Sequence, residues 1–183
     1  MKKLFSLMLL LATFIPIYSQ KIVKNGIDPF TNEFAIETSM EGLLSRNKFK
    51  NQWNEVKVSL RYDNGVWSIP ASVVMDKTQN FNPNCLLVLR LSNGGVITLN
   101  ANSSGEAMNS ERGKLGVATQ TRVAPFKTVY IGLKDEDIEN LRNFPITNIR
   151  VTSEMTNFDY EIKGKNSELF IRFIKLIDDA KGE

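Results

Sequence analysis

The sequence predicts an α+β fold: mainly antiparallel β-sheet, sandwich-like or open, with a short helix and a C-terminal amphipathic helix packed on it. Three observations lead there. Asn-Gly pairs at 64–65 and 93–94 each separate two apolar runs, the pattern of a hairpin whose turn needs positive φ. Further short apolar segments follow from Thr128 onward. From Leu169 to Ile177 the apolar residues recur at spacings of three and four, the period of a helix with one buried face. Such a face must cover something apolar, and an antiparallel sheet with its own apolar face is the natural partner.

At the N-terminus, Lys2 and Lys3 precede an apolar run from Leu4 to Ile17, followed by Ser19 and Gln20. This is the shape of a signal peptide, with cleavage expected near Ser19-Gln20. The run is shorter than the roughly 20 residues that span a bilayer, so no transmembrane anchor is expected after cleavage. No cysteine stands at the junction to carry a lipid. The expected organisation is therefore a leader over 1–19 and one β-rich domain over 20–183, exported to the periplasm, cell surface or beyond.

Ile27 to Asn54 is the least patterned part. Asp28-Pro29-Phe30-Thr31-Asn32 reads as a turn, Glu33–Thr38 as a strand, and Trp53 as an anchor to the core. Val56, Val58 and Leu60 then alternate with polar residues, Asp63-Asn64-Gly65 turns the chain, and Val66–Val74 returns. Pro70 has no ladder donor, which places the return arm at a sheet edge or interrupts it there. The second hairpin runs through Leu86–Leu91, Ser92-Asn93-Gly94-Gly95 and Val96–Leu99. Its first arm is apolar on successive residues, as in a strand covered on both faces.

Asn102 to Gly116 is small and polar and reads as a long loop, and strands are expected at Val117–Arg122 and Thr128–Leu133. Asp135-Glu136-Asp137 ahead of Ile138 and Leu141, with Pro145 beyond, fits a short helix with acidic residues at its positive end. Strands at Ile146–Thr152 and Phe158–Ile162 lead to the C-terminal helix, capped by Asn166 or Ser167.

Charge and composition remove several functions. The leader holds two of the 23 basic residues and none of the 20 acidic ones, which leaves the mature chain at a net +1. It has no run of consecutive Lys or Arg, hence no electrostatic footprint for nucleic acid. The single cysteine, Cys85, heads an apolar stretch and reads as a small hydrophobe. The absence of histidine removes Ser-His-Asp and Cys-His catalysis and imidazole-dependent metal sites. No cofactor is expected.

Carboxylate chemistry, lysine-assisted serine chemistry and an oxygen-ligand cation site stay open. Asp135, Glu136 and Asp137 are candidate carboxylates, better explained by the helix start they precede. Asp178 and Asp179 fall in the last turn of the final helix, where negative charge is unfavourable, and read as a solvated end. Ser45 and Lys48 have the Ser-x-x-Lys spacing of some acyl-transfer enzymes, without the companion Ser-Asp-Asn or Lys-Thr-Gly. In the long loop, Asn102, Glu106 and Arg112 are the candidate ligand contacts, against plain disorder. Trp53, Trp67, Tyr62 and Tyr160 are candidates for a stacking platform under a sugar or peptide, or else half-buried sheet anchors.

Asp28-Pro29-Phe30-Thr31, Leu91 to Leu99, Tyr130-Ile131-Gly132-Leu133 with Asp137-Ile138 and Leu141, Pro145 to Arg150 and the terminal helix together resemble a family of small uncharacterised exported proteins from Gram-negative anaerobes. The resemblance spans most of the mature chain and implies a fold and an export route, with no site residues to carry over. The expected function is a non-enzymatic binding or assembly module of the periplasm or cell surface, with a protein or carbohydrate ligand. The alternatives are a small hydrolase using carboxylates or a Ser-Lys pair, and a protein-facing inhibitor or subunit.

Overall fold

In the computed structural model the described residues are 20–27, 29, 32–45, 54–74, 86–101, 126–131, 133–152 and 157–182. They form an α+β structure dominated by antiparallel strands. The strands are β1 (Ile22–Ile27), β2 (Phe34–Thr38), β3 (Glu41–Leu44), β4 (Glu55–Val58), β5 (Arg61–Asp63), β6 (Val66–Val74), β7 (Leu86–Leu91), β8 (Val96–Ala101), β9 (Phe126–Ile131), β10 (Ile146–Thr152) and β11 (Asn157–Glu161). Two helices, α1 (Asp135–Asn143) and α2 (Leu169–Lys181), complete it.

Hydrogen-bonded order along the sheet is β1-β2-β5-β6-β9-β8-β7-β10-β11, with β4 on β6 and β3 on β4. All these pairings are antiparallel. β8 and β9 are joined at Asn100↔Ile131 and Ala101↔Tyr130, a short seam between two broader halves. The halves share one core, in which Ile36, Leu60, Ile69 and Val73 from one side and Leu87, Leu89, Ile149 and Val151 from the other are buried together.

The first hairpin turns at Asn64-Gly65, with φ of 45° and 92°. This is the conformation that Asn and Gly adopt at least cost. The arm it returns on, however, is central rather than an edge. β6 pairs with β5 and β4 in succession along one side and with β9 along the other. Proline is accommodated because the interruption lies in the neighbour. β4 and β5 break at Ser59-Leu60, opposite Pro70, and Ser59 N–H donates to the Pro70 carbonyl at 3.0 Å. In a strand a residue's N–H and C=O point to the same side, so the donor that Pro70 lacks would have pointed into that break.

At the same break β5 continues against β2 while β4 continues against β3. Buried Thr38 holds the divergence: its N–H donates to Leu60 O at 3.0 Å, and its Oγ1 accepts from Leu60 N–H at 2.9 Å. β1 and β3, which sequence patterning left unassigned, form against β2 and β4. The turn expected at 28–32 is described at Pro29 and at Asn32, which takes a φ of 57°.

The second hairpin stands as expected, but β7 is not covered on both faces. Leu87, Leu89 and Leu91 are buried, whereas Val88 is half-buried and Arg90 exposed. Its continuous apolar run thus reflects one core face plus a partly open Val88. The expected strand at Val117–Arg122 and Cys85 lie outside the described residues. The strand expected from Thr128 begins at Phe126.

α1 begins as its acidic first turn requires. Asp137 Oδ2 accepts the Lys134 N–H at 2.9 Å, giving an orphan amide a partner. α2 starts later than expected. Asn166 and Ser167 do not cap it: a short 3₁₀ turn covers Gly164–Asn166, Ser167 Oγ donates to Gly164 O at 2.7 Å, and Asn166 Nδ2 reaches across to Leu43 O at 3.3 Å. The helix ends at Gly182, whose left-handed φ of 82° closes its last turn. Its apolar face, Leu169, Phe170, Phe173, Ile174 and Ile177, is buried, with Leu176 half-buried at its margin. That face lies against β2 and β1, with α1 alongside.

Candidate functional site

Opposite the α2-covered face, cross-strand register places Lys24 of β1, Glu37 of β2, Arg61 of β5 and Ser68 of β6 in one row. Opposite charges directly across strands stabilise such a row by tenths of a kcal/mol per pair, up to about 1 kcal/mol. Arg61 is its centre. Its guanidinium lies 2.5 Å from Asp63 Oδ2 and donates from its terminal nitrogen to Oδ1 at 3.1 Å. The hydrogen bond to Asp63 pushes the Arg61 pKa up, partial burial opposes it, and the charges of Asp63, Glu37 and Glu33 add to the rise. Ser59 Oγ donates to Glu37 at 3.3 Å. This face is partly enclosed, since Ala35, Ser59, Ser68 and Val74 along it are buried. The row therefore joins β2 to β5 by charge, sets Lys24 of β1 directly across from Glu37, and holds the bend around Ser59 through its bond to Glu37. Glu37, Arg61, Asp63 and Ser59 are engaged with one another.

On the α2 side of the same strands, Tyr62 stands across from both Ile36 and Trp67. The Tyr62 and Trp67 rings meet edge to face at a centroid separation of 4.9 Å. Lys181, at the end of α2, places its ammonium 4.5 Å from the Tyr62 centroid and 5.9 Å from that of Trp67. Trp67 is 7% exposed, so its ring face is closed to a sugar, and Lys181 occupies the cation–π position over Tyr62. The pair is an anchor for the helix end rather than an open platform. Tyr160 lies far along the strand order on β11, where its hydroxyl bonds to Asn54, and Trp53 lies outside the described residues.

The remaining sequence candidates separate in the same way. Asn102, Glu106, Arg112 and Lys48 lie outside the described residues, and Ser45 is exposed at the end of β3. Asp135 and Glu136 are exposed in the first turn of α1, and Asp137 caps it. Asp178 departs from its expected place. It is not a solvated end: its side chain is 13% exposed and pairs with Arg142, clasping α2 to α1. Nothing in its own helix signals this, because the partner is 36 residues away. Among the described residues no three His, Cys, Asp or Glu side chains converge to hold a metal ion, and no helix is long and apolar enough to cross a membrane.

Among the described residues the main path of the strand order ends on β1 and β11, and the branch through β4 ends on β3, whose Leu43 carbonyl accepts from Asn166; the two ends of the main path differ in chemistry. β11 alternates half-buried Phe158 and Tyr160 with exposed Asn157, Asp159 and Glu161. Asp159 accepts a two-pronged contact from Arg150 at 2.6 and 2.7 Å, and Glu161 pairs with Lys163 at 2.8 Å. An edge so charged resists pairing with another strand. β1 exposes Val23 to 55% and Ile27 to 64%. Its register slips between Ile22 and Lys24, leaving Val23 as the bulged residue.

Comparison of the chain with family models, with curated proteins and with solved structures gives no match.

Proposed function

We propose that this chain is an exported, non-enzymatic binding or assembly module of the periplasm or cell surface, and that it takes an extended segment of a protein partner along β1. The leader-like N-terminus supports export. The β1 edge carries the binding reading: it ends the main path of the described strand order and exposes Val23 and Ile27, where β11 shows charge and β3 is met by Asn166. Strand addition to such an edge draws affinity from main-chain hydrogen bonds and specificity from flanking side chains. The bulge at Val23 and the charge of Lys24 restrict which strands fit, as edges with a defined partner require. A carbohydrate-stacking reading draws no support from the buried Trp67.

A photo-crosslinking residue placed at Val23 or Ile27, in the cells that make the protein, tests this. The expected result is a discrete crosslinked species from either position and none from exposed Thr98 on the other half of the sheet. Equal crosslinking from all three, or none, refutes an edge-directed partner.

A further inference from the structure

We infer that Gln20, as the first residue of the mature chain, is a modification site at which the N-terminus closes on its own side chain to a pyroglutamyl lactam. The inference rests on the export reading, because the reaction needs the free α-amine that cleavage after Ser19 creates.

Two features of the fold converge on this residue. Lys21 is fixed on both sides by one serine: its N–H donates to Ser39 Oγ at 3.2 Å, and its carbonyl accepts the Ser39 N–H at 2.7 Å. The backbone entering Gln20 is thereby held beside β2. Arg172 of α2 donates its Nε–H to Gln20 Oε1 at 2.9 Å. The amide oxygen where negative charge develops during attack thus already meets a cationic donor, in the manner of an oxyanion hole.

The step balances without a co-reactant. The α-amine nitrogen attacks Cδ of Gln20, a nitrogen–Cδ bond forms, and the Cδ–Nε2 bond breaks. The side-chain nitrogen leaves as ammonia, carrying a proton from the α-amine. The oxygen that was Oε1 becomes the lactam oxygen and keeps its hydrogen bond from Arg172. Attack requires the neutral amine, and an α-amino group titrates at about 7.7–8.0, so a useful fraction is neutral near pH 7.5. Lys21 and Arg172 both favour loss of the neighbouring positive charge, although Glu168, 3.8 Å from Arg172, and Glu41, which accepts from Ser39 Oγ at 3.1 Å, offset part of that field. The product has no α-ammonium, and its N-terminus is closed to aminopeptidases.

The test is to express the full chain with its leader in a Gram-negative host, purify the exported product, and follow the mass of its N-terminal peptide during incubation at pH 7.5. A peptide beginning at residue 20 and lighter by one ammonia is expected. Arg172→Met should slow conversion of the remaining free form by about tenfold, less than loss of a fully enclosed oxyanion donor costs, with Arg172→Lys intermediate. Wild-type protein in urea should convert as slowly as Arg172→Met. A peptide beginning at residue 20 that keeps its ammonia overturns the lactam and leaves export standing. Conversion at one rate in folded, unfolded and Arg172→Met chains overturns the role of Arg172. A retained leader, or a different first residue, overturns the cleavage reading on which the inference rests.

Discussion

Replacing Phe173 by alanine tests whether the sheet depends on α2 as its cover. Phe173 is 0% exposed, and its ring meets that of Phe170 edge to face at 6.0 Å. It sits at the middle of the apolar face directed at β1 and β2. Truncating a fully buried phenylalanine removes its transfer free energy and leaves a cavity, at about 3–5 kcal/mol. Loss of the edge-to-face contact, about 0.5–1.5 kcal/mol, falls within that range. For a domain whose total stability is about 5–15 kcal/mol this is a large share. At about 2–4 °C per kcal/mol for this size, Tm should fall by roughly 6–20 °C. Urea unfolding followed by circular dichroism measures it, with exposed Lys175→Ala as the control, expected within about 0.5 kcal/mol of wild type. A Phe173→Ala cost under about 1 kcal/mol with an unchanged denaturant slope would refute the packing of α2 on the sheet.

Two further predictions concern charges. Asp178→Ala should destabilise by about 1–2 kcal/mol, between the values for exposed and buried pairs, because Arg142 is 40% and Asp178 13% exposed. Urea unfolding of the single mutants and of the double mutant with Arg142→Ala gives the coupling directly, and additive single costs would remove the clasp. On β10 and β11, the hydrogen bond from Arg150 holds the Asp159 carboxyl below its ordinary value, with desolvation opposing and the Arg150 charge adding. A carboxylate with a depressed folded pKa stabilises above its unfolded value and loses that contribution as pH falls through the folded one. Arg150→Ala should therefore move the Asp159 titration upward toward pH 4 in a carboxyl-carbon NMR titration, and an unmoved curve would show the pair to be without effect.

The parts of the fold legible in the sequence are those whose cause is local. Asn64-Gly65 makes its turn because those two residues tolerate positive φ, whatever lies beyond them. Asp137 caps α1 from three residues away, and the period of three and four in α2 specifies a buried face before anything is known of what it covers. Pro70 shows where local reasoning ends. Its missing donor was evident, but the accommodation lies in the break at Ser59-Leu60 of a neighbouring strand rather than in its own position. β1 gave no alternating pattern because it carries a bulge and, among the described residues, pairs only with β2, from which its conformation comes. The contact of Lys181 with Tyr62 and the clasp between Asp178 and Arg142 join residues more than 30 positions apart. The same holds of Gln20 and Arg172, which meet across 152 positions. Sequence by itself determined the fold class, the turns and the helix faces, because each follows from the preferences of neighbouring residues. Tertiary structure alone decided which strands end the described order, which polar groups found partners and where Gln20 came to rest, because these depend on contacts that exist only once distant segments have packed.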